Sequence, residues 1–197
     1  MLEPYTERAT ERRLRERLRR FAAATLARFE PLEHEPATPR RLVEALGRAG
    51  FLKLVAARAS TRARGGLSAV QLAVCREELA YALPLGDTLF AMQGLGSYPV
   101  ALAGSERLKR ELLPRVAAGR AVTAFALTEP GAGSDAAAIA TSARRDGASY
   151  VLDGEKRFIS TCCTKLPEGA LRRRRRAHAL SPQCPSPRHS TFPAEAR

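Results

Sequence analysis

The spacing of apolar residues changes at Gly119, and that change limits what the chain can fold into. Before it, apolar residues recur at helical spacing. Leu14, Leu18, Phe21, Thr25 and Phe29 make one stripe with Arg and Glu between them, stopped by Pro31. Pro31, Pro36 and Pro39 read as a linker; Thr38 caps a second helix with Pro39 at its first position, and Gly50 closes it. "ASTRARGG" (59–66) reads as a loop, and Ser68 caps a helix through "AVQLAVCREELAYAL" to Pro84. Asp87 starts a further short helix, and Ser105 caps "ERLKRELLPRVAAG", with Leu108, Leu112 and Val116 on one face. After Gly119 the runs shorten. "AVTAFALT" (121–128) is rich in strand formers, and "TSARRDGASYVLDGEKRFIS" (141–160) carries two Asp-Gly turn signals between strand-like runs. The expected class is α+β: an N-terminal all-α domain over 1–119, the beginning of an antiparallel β domain over 120–161, and a basic disordered tail over 162–197.

Charge and cysteine use narrow the setting. The net charge is +13, with 25 basic against 18 acidic residues in 1–161 and 8 against 2 in 162–197. Nearly half the excess therefore sits in the tail, where Arg172–Arg176 run consecutively and prolines recur. No aromatic residue interleaves that run, so base stacking lacks support and nucleic acid is not expected as a partner. Cys162, Cys163, His178, Cys184 and His189 match no standard zinc spacing, and no metal is expected. The sparse cysteines suggest a reducing compartment. The Arg-rich N-terminus is interleaved with Glu3, Glu7, Glu11 and Glu16, unlike a transit peptide, and no apolar run approaches a membrane span. The expected location is cytoplasmic, with no membrane partner.

The chemistry, if any, sits in "FALTEPGAGSD" (125–135), where glycines cost backbone entropy and need a reason. "GAGSDA" fits a dinucleotide-binding turn, but Thr128, Glu129 and Pro130 separate the strand-like run from the first glycine, and "AAAIATSARRDG" is short for a crossover helix. A triphosphate loop would need Lys-Ser/Thr after the last glycine, which is absent. The third reading is a flavin site, in which an extended segment offers backbone N–H and C=O groups to the ring's polar edge. Residue types alone do not choose among these readings.

"ALTEPGAGSD" resembles the signature of the acyl-CoA dehydrogenase family. "GSERLKRELLPRVAAGR" (104–120) resembles the run ahead of that signature, "GGLSAVQLAVCREELA" (65–80) an earlier helix, and "YVLDGEKRFIS" (150–160) the strand pair that follows. The resemblance covers roughly residues 10 to 160, in register. It implies FAD as cofactor and α,β-dehydrogenation of an acyl-CoA thioester, with electron-transfer flavoprotein or another acceptor downstream. It implies Phe125, Ala126, Leu127, Thr128, Gly133 and Ser134 against the flavin, Thr128 bonding the pyrimidine edge and Ser134 also touching substrate. Phe158, Ile159 and Ser160 would form the second flavin-contacting strand, with Phe158 where the family has Trp. Glu129 and Asp135 are expected to bond backbone N–H groups rather than act in catalysis.

The departures from the pattern matter as much. Thr161 stands where the family has Asn, and "ARASTRARGG" (57–66) replaces a Pro-Glu-x-x-Gly-Gly approach. The resemblance stops near Ser160, before the region that in the family carries the catalytic Glu and most of the homo-oligomer interface. No catalytic residue is therefore nominated, and the chain is expected to be truncated and inactive, unstable and weak in flavin affinity. The tail's composition suggests departure from an ancestral reading frame shortly after Ser160. The alternative is a non-enzymatic nucleic-acid or anion binder working through the arginine run.

Overall fold

The computed structural model describes residues 8–32, 35, 37–56, 68–147 and 149–160, and the backbone of 189–193. Five helices come first: α1 (Ala9–Ala24), α2 (Thr38–Arg48), α3 (Ala69–Ala82), α4 (Pro84–Ala103) and α5 (Glu106–Ala117). Three short strands follow: β1 (Ser142–Asp146), β2 (Ser149–Asp153) and β3 (His189–Pro193). The α+β order is the one the sequence implies. The arginine run, the possible zinc ligands Cys162, Cys163, His178 and Cys184, Thr161 and the 59–66 loop lie outside the described residues.

The helical layers form because each apolar stripe finds a neighbour. Leu14 and Leu18 of α1, Leu42, Val43 and Leu46 of α2, Val74, Cys75 and Leu79 of α3, and Leu89 and Phe90 of α4 join one core with Phe51 and Leu52. Each fully buried aliphatic or aromatic side chain contributes about 1.5–3 kcal/mol relative to exposure. An ion-pair cluster ties α1 to α3. Arg19 meets Glu78 in two bonds of 2.9 Å, and Arg15 reaches Glu77 and Glu78 at 2.7 and 2.5 Å. Burial pushes the Glu78 carboxyl up, but the Arg19 and Arg15 guanidiniums outweigh it and hold the group below its ordinary range.

Several boundaries differ from the sequence reading, each for a physical reason. α1 stops at Ala24, and Leu26–Arg28 and Glu30–Leu32 form tighter 3₁₀ turns up to and through Pro31. Thr38 is the first residue of α2 rather than its cap, and its buried hydroxyl donates to the Leu32 carbonyl at 2.6 Å. No short helix begins at Asp87. Instead α4 runs 20 residues from Pro84, because extended Leu83 precedes a proline suited to a first turn. Asp87 pairs with Arg76 at 2.8 and 2.9 Å, joining α3 to α4. Gly94, Gly96 and Pro99 would discourage so long a helix on propensity alone, but packing overrides them. Ser68 and Ser105 do cap α3 and α5, accepting from Gln71 N and Leu108 N at 3.3 Å.

Gly119 marks the transition. Its φ is +70°, and a Cβ there would collide with the Val43 carbonyl of α2. Beyond it, 121–128 is neither helix nor strand and joins no ladder among the described residues. β1 and β2 form an antiparallel hairpin with Asp146 opposite Ser149, so the first Asp-Gly is a turn as expected. The second, Asp153-Gly154, ends β2 without reversing it. β3 pairs antiparallel with the other edge of β2, Val151 opposite Thr191. These five residues belong to the segment expected as a disordered tail. A free β2 edge and the strand formers Thr191 and Phe192 account for the pairing.

The core makes one chemical statement. Burial pushes the Cys75 thiol from 9.0 to about 12, with nearby Arg17 pulling slightly the other way. Cys75 should therefore react with iodoacetamide at least about a hundredfold more slowly in the folded chain than in urea. Peptide-resolved mass spectrometry checks this; equal rates would show that α3 is not packed as described.

Candidate functional site

The segment after α5 is seated on α4 before it reaches the glycine loop. Thr123 donates its hydroxyl to the Met92 and Gln93 carbonyls at 3.1 and 3.2 Å, and its backbone N–H donates to Gln93 Oε1 at 3.3 Å. Gln93 is fully buried and its Nε2 has no partner. A Cβ on Gly96 would lie 2.6 Å from the Thr123 Cβ, so glycine lets the crossing happen at all. Sequence reading missed Gln93, although a lone amide in an otherwise apolar helix was the available signal.

From 125 onward the backbone has little company. The N–H groups of Phe125, Ala126, Leu127 and Thr128, and the carbonyls of Phe125 and Ala126, bond to no described residue. One side of the segment is nonetheless held. Arg157 N donates to the Thr128 carbonyl at 2.8 Å, and Lys156 Nζ donates to the Leu127 carbonyl at 2.9 Å. Of the two sequence-nominated stretches, 125–128 is thereby held by the two residues that precede 158–160, and no described hydrogen bond joins Phe158 or Ile159 to it. Phe125, Leu127 and Phe158 are exposed, Phe158 at 77% of its surface and with a left-handed φ of +56°, uncommon for a bulky residue. Ile159 is buried, so only its backbone is available to a ligand.

The glycine loop itself is a tight reversal. Glu129 and Ala132 bond each other's backbone at 2.9 and 3.2 Å. Gly131 and Gly133 have negative φ, and an added Cβ at either would meet nothing within 4 Å. Neither backbone strain nor packing within the described chain requires these glycines. Gly133 and Ser134 are exposed, and no described hydrogen bond ties them to 158–160. The Thr128 and Ser134 hydroxyls have no partner among the described residues.

Both carboxylates of the signature bond backbone N–H groups. Asp135 accepts from Ala137 N at 3.1 Å. Glu129 accepts from Ala140 N at 2.7 Å, Thr141 N at 3.1 Å and the Thr141 hydroxyl, and pairs with Lys156 at 2.8 Å. Lys156, Thr141 and the Ala140 N–H together depress the Glu129 carboxyl from 4.5 to about 2. No group of three or more His, Cys, Asp or Glu among the described residues is placed to hold a metal. No described helix is long and apolar enough to cross a membrane.

The donor set suits a flat heteroaromatic ligand: an open run of backbone donors and acceptors, two free hydroxyls and bare aromatic and aliphatic side chains beside them. Comparison with known proteins places the same architecture in one class. The model of the acyl-CoA dehydrogenase N-terminal domain matches residues 8–120, and that of the middle domain matches 124–164. The chain belongs to the acyl-CoA dehydrogenase family. It is 39% identical over 121 residues to a probable acyl-CoA dehydrogenase of Bacillus subtilis (strain 168), covering 60% of this chain and 20% of that protein. The crystal structure of an acyl-CoA dehydrogenase complexed with FAD from Bacillus anthracis matches at TM-score 0.67 and 31% identity, over 81% of this chain and 28% of that one. A glutaryl-CoA dehydrogenase from Mycobacterium smegmatis in complex with FADH2 matches at 0.65 and 31%, over 77% and 39%. The chain thus spans between a fifth and two fifths of the length of these relatives.

The depressed Glu129 carboxyl has a consequence for stability. A folded value of about 2 against an ordinary 4.5 means its contribution is fully present above pH 4.5 and lost as pH falls towards 2. Urea midpoints of the wild type and Glu129→Gln should differ most above pH 4.5 and converge towards pH 2. A constant gap across that window would contradict the assignment.

Proposed function

We propose that this chain carries the flavin-facing half of an FAD-dependent acyl-CoA dehydrogenase site. The observation that carries the reading is the open run of backbone N–H groups at 125–128 with the open carbonyls of Phe125 and Ala126. Buried backbone groups are nearly always paired, whereas exposed ones bond water until a ligand displaces it; the exposed edge of 125–127 is therefore open to a ligand. Thr128 would bond the ring's pyrimidine edge, Phe125, Ala126 and Leu127 would line it, and Gly133 and Ser134 would approach it, Ser134 also meeting the acyl-CoA. Phe158, Ile159 and Ser160 would close the other side. FAD, when bound, supplies the hydride acceptor.

The residues of this chain would hold and orient. The reaction also needs a base for the α-proton of the thioester, and the carboxylate closest in sequence to the segment, Glu129, is already committed to Lys156, Thr141 and Ala140. No described carboxylate is therefore assigned as that base. Binding without turnover is expected of the described part by itself, and a downstream acceptor such as electron-transfer flavoprotein would act only on a completed site. A cytoplasmic location and a role in fatty acid metabolism belong to the same reading.

Gly133→Val tests it. With open space at the Cβ position and no positive φ, the substitution should leave the urea midpoint unchanged. It should weaken FAD binding, followed by quenching of FAD fluorescence, at least about tenfold, equal to ~1.4 kcal/mol. Absence of saturable FAD binding by the wild type, or equal affinity in the variant, would overturn the reading.

A further inference from the structure

Lys156 reaches two points of the signature at once. Its Nζ donates to the Leu127 carbonyl at 2.9 Å and to Glu129 Oε1 at 2.8 Å. Its neighbour Arg157 donates a backbone N–H to the residue between them, Thr128, at 2.8 Å. Three consecutive residues, 127–129, are thus held by two, 156–157. Glu129 carries the connection further, through Ala140 N, Thr141 N and the Thr141 hydroxyl. Gly154 passes so close to Thr141 that a Cβ would collide with its side chain. Three stretches of chain, 127–129, 140–141 and 154–157, meet around the Glu129 carboxylate.

We propose that Lys156, working through Glu129, is a positioning residue that sets the conformation of 125–128 and so the spacing of its free N–H and C=O groups. A segment outside any helix or ladder has many alternative conformers, and fixing each residue costs about 1–2 kcal/mol. In a sheet the ladder offsets that cost. Here a side-chain ammonium and one backbone bond stand in for the missing ladder strand. The pair is well placed for this. The Glu129 side chain is 5% exposed and that of Lys156 20%, so neither charge is well served by water if the other is removed. An ammonium is a compact charge with three donors that can be shared between a carbonyl and a carboxylate, whereas a planar guanidinium imposes its own fork. The functional consequence rests on the flavin reading of 125–128; the clamp itself does not.

The test compares wild type, Lys156→Met and Lys156→Arg by amide hydrogen exchange without cofactor and by FAD titration. In Lys156→Met the amides of Ala140, Thr141 and Arg157 should exchange at least tenfold faster while α1 to α5 exchange as in wild type, and FAD affinity should fall at least tenfold. Lys156→Arg, which keeps the charge, should recover part of both. If Lys156→Met disturbs the helices, Glu129→Gln serves in its place and should show the same local pattern. Wild-type exchange at those three amides overturns the clamp, and faster exchange with wild-type FAD affinity overturns its positioning role. If the wild-type chain binds no FAD, the flavin reading falls and the exchange pattern alone decides the clamp.

Discussion

A backbone outside helix and sheet can offer its polar groups to a ligand only while something else holds it in place. In this chain that hold comes from two directions. Upstream, Thr123 is pinned to α4 through Gln93 and the space left by Gly96. Downstream, Glu129 is pinned by Lys156, Ala140 and Thr141. Between the two anchors lie only five residues, which leaves little slack, and their unpaired groups follow from that suspension. The helical domain matters to the site mainly because its core makes α4 rigid enough to be the first anchor.

The two anchors use buried polarity differently. At Gln93 an amide spends one oxygen on Thr123 and leaves its nitrogen without a partner, a cost of about 1–3 kcal/mol that the apolar packing of α4 must outweigh. At Glu129 the carboxylate is saturated by a cation, a hydroxyl and two backbone donors, the condition under which a buried charge is tolerated.

Most of the helical half was legible because burial follows spacing: Leu14 with Leu18 and Leu112 with Val116 mark faces that do pack inward. The reading failed where tertiary packing overrode local preference. Gly94, Gly96 and Pro99 disguised α4, whose all-round apolar character has no face for periodicity to detect. The run 121–128 has strand composition but pairs with no described strand, and composition cannot report a neighbour's position. The nominated flavin residues came from resemblance rather than spacing. The backbone that makes them plausible, the free N–H groups and the Lys156 grip on Leu127, leaves no trace in residue identity.

Amide chemical shifts recorded while FAD is added report on the open edge at 125–128 residue by residue. Perturbations should concentrate at Phe125–Thr128, Gly133–Ser134 and 158–160, with the α1–α3 amides unmoved. Saturable binding whose perturbations fall instead on the helical domain, leaving 125–128 unchanged, would contradict it.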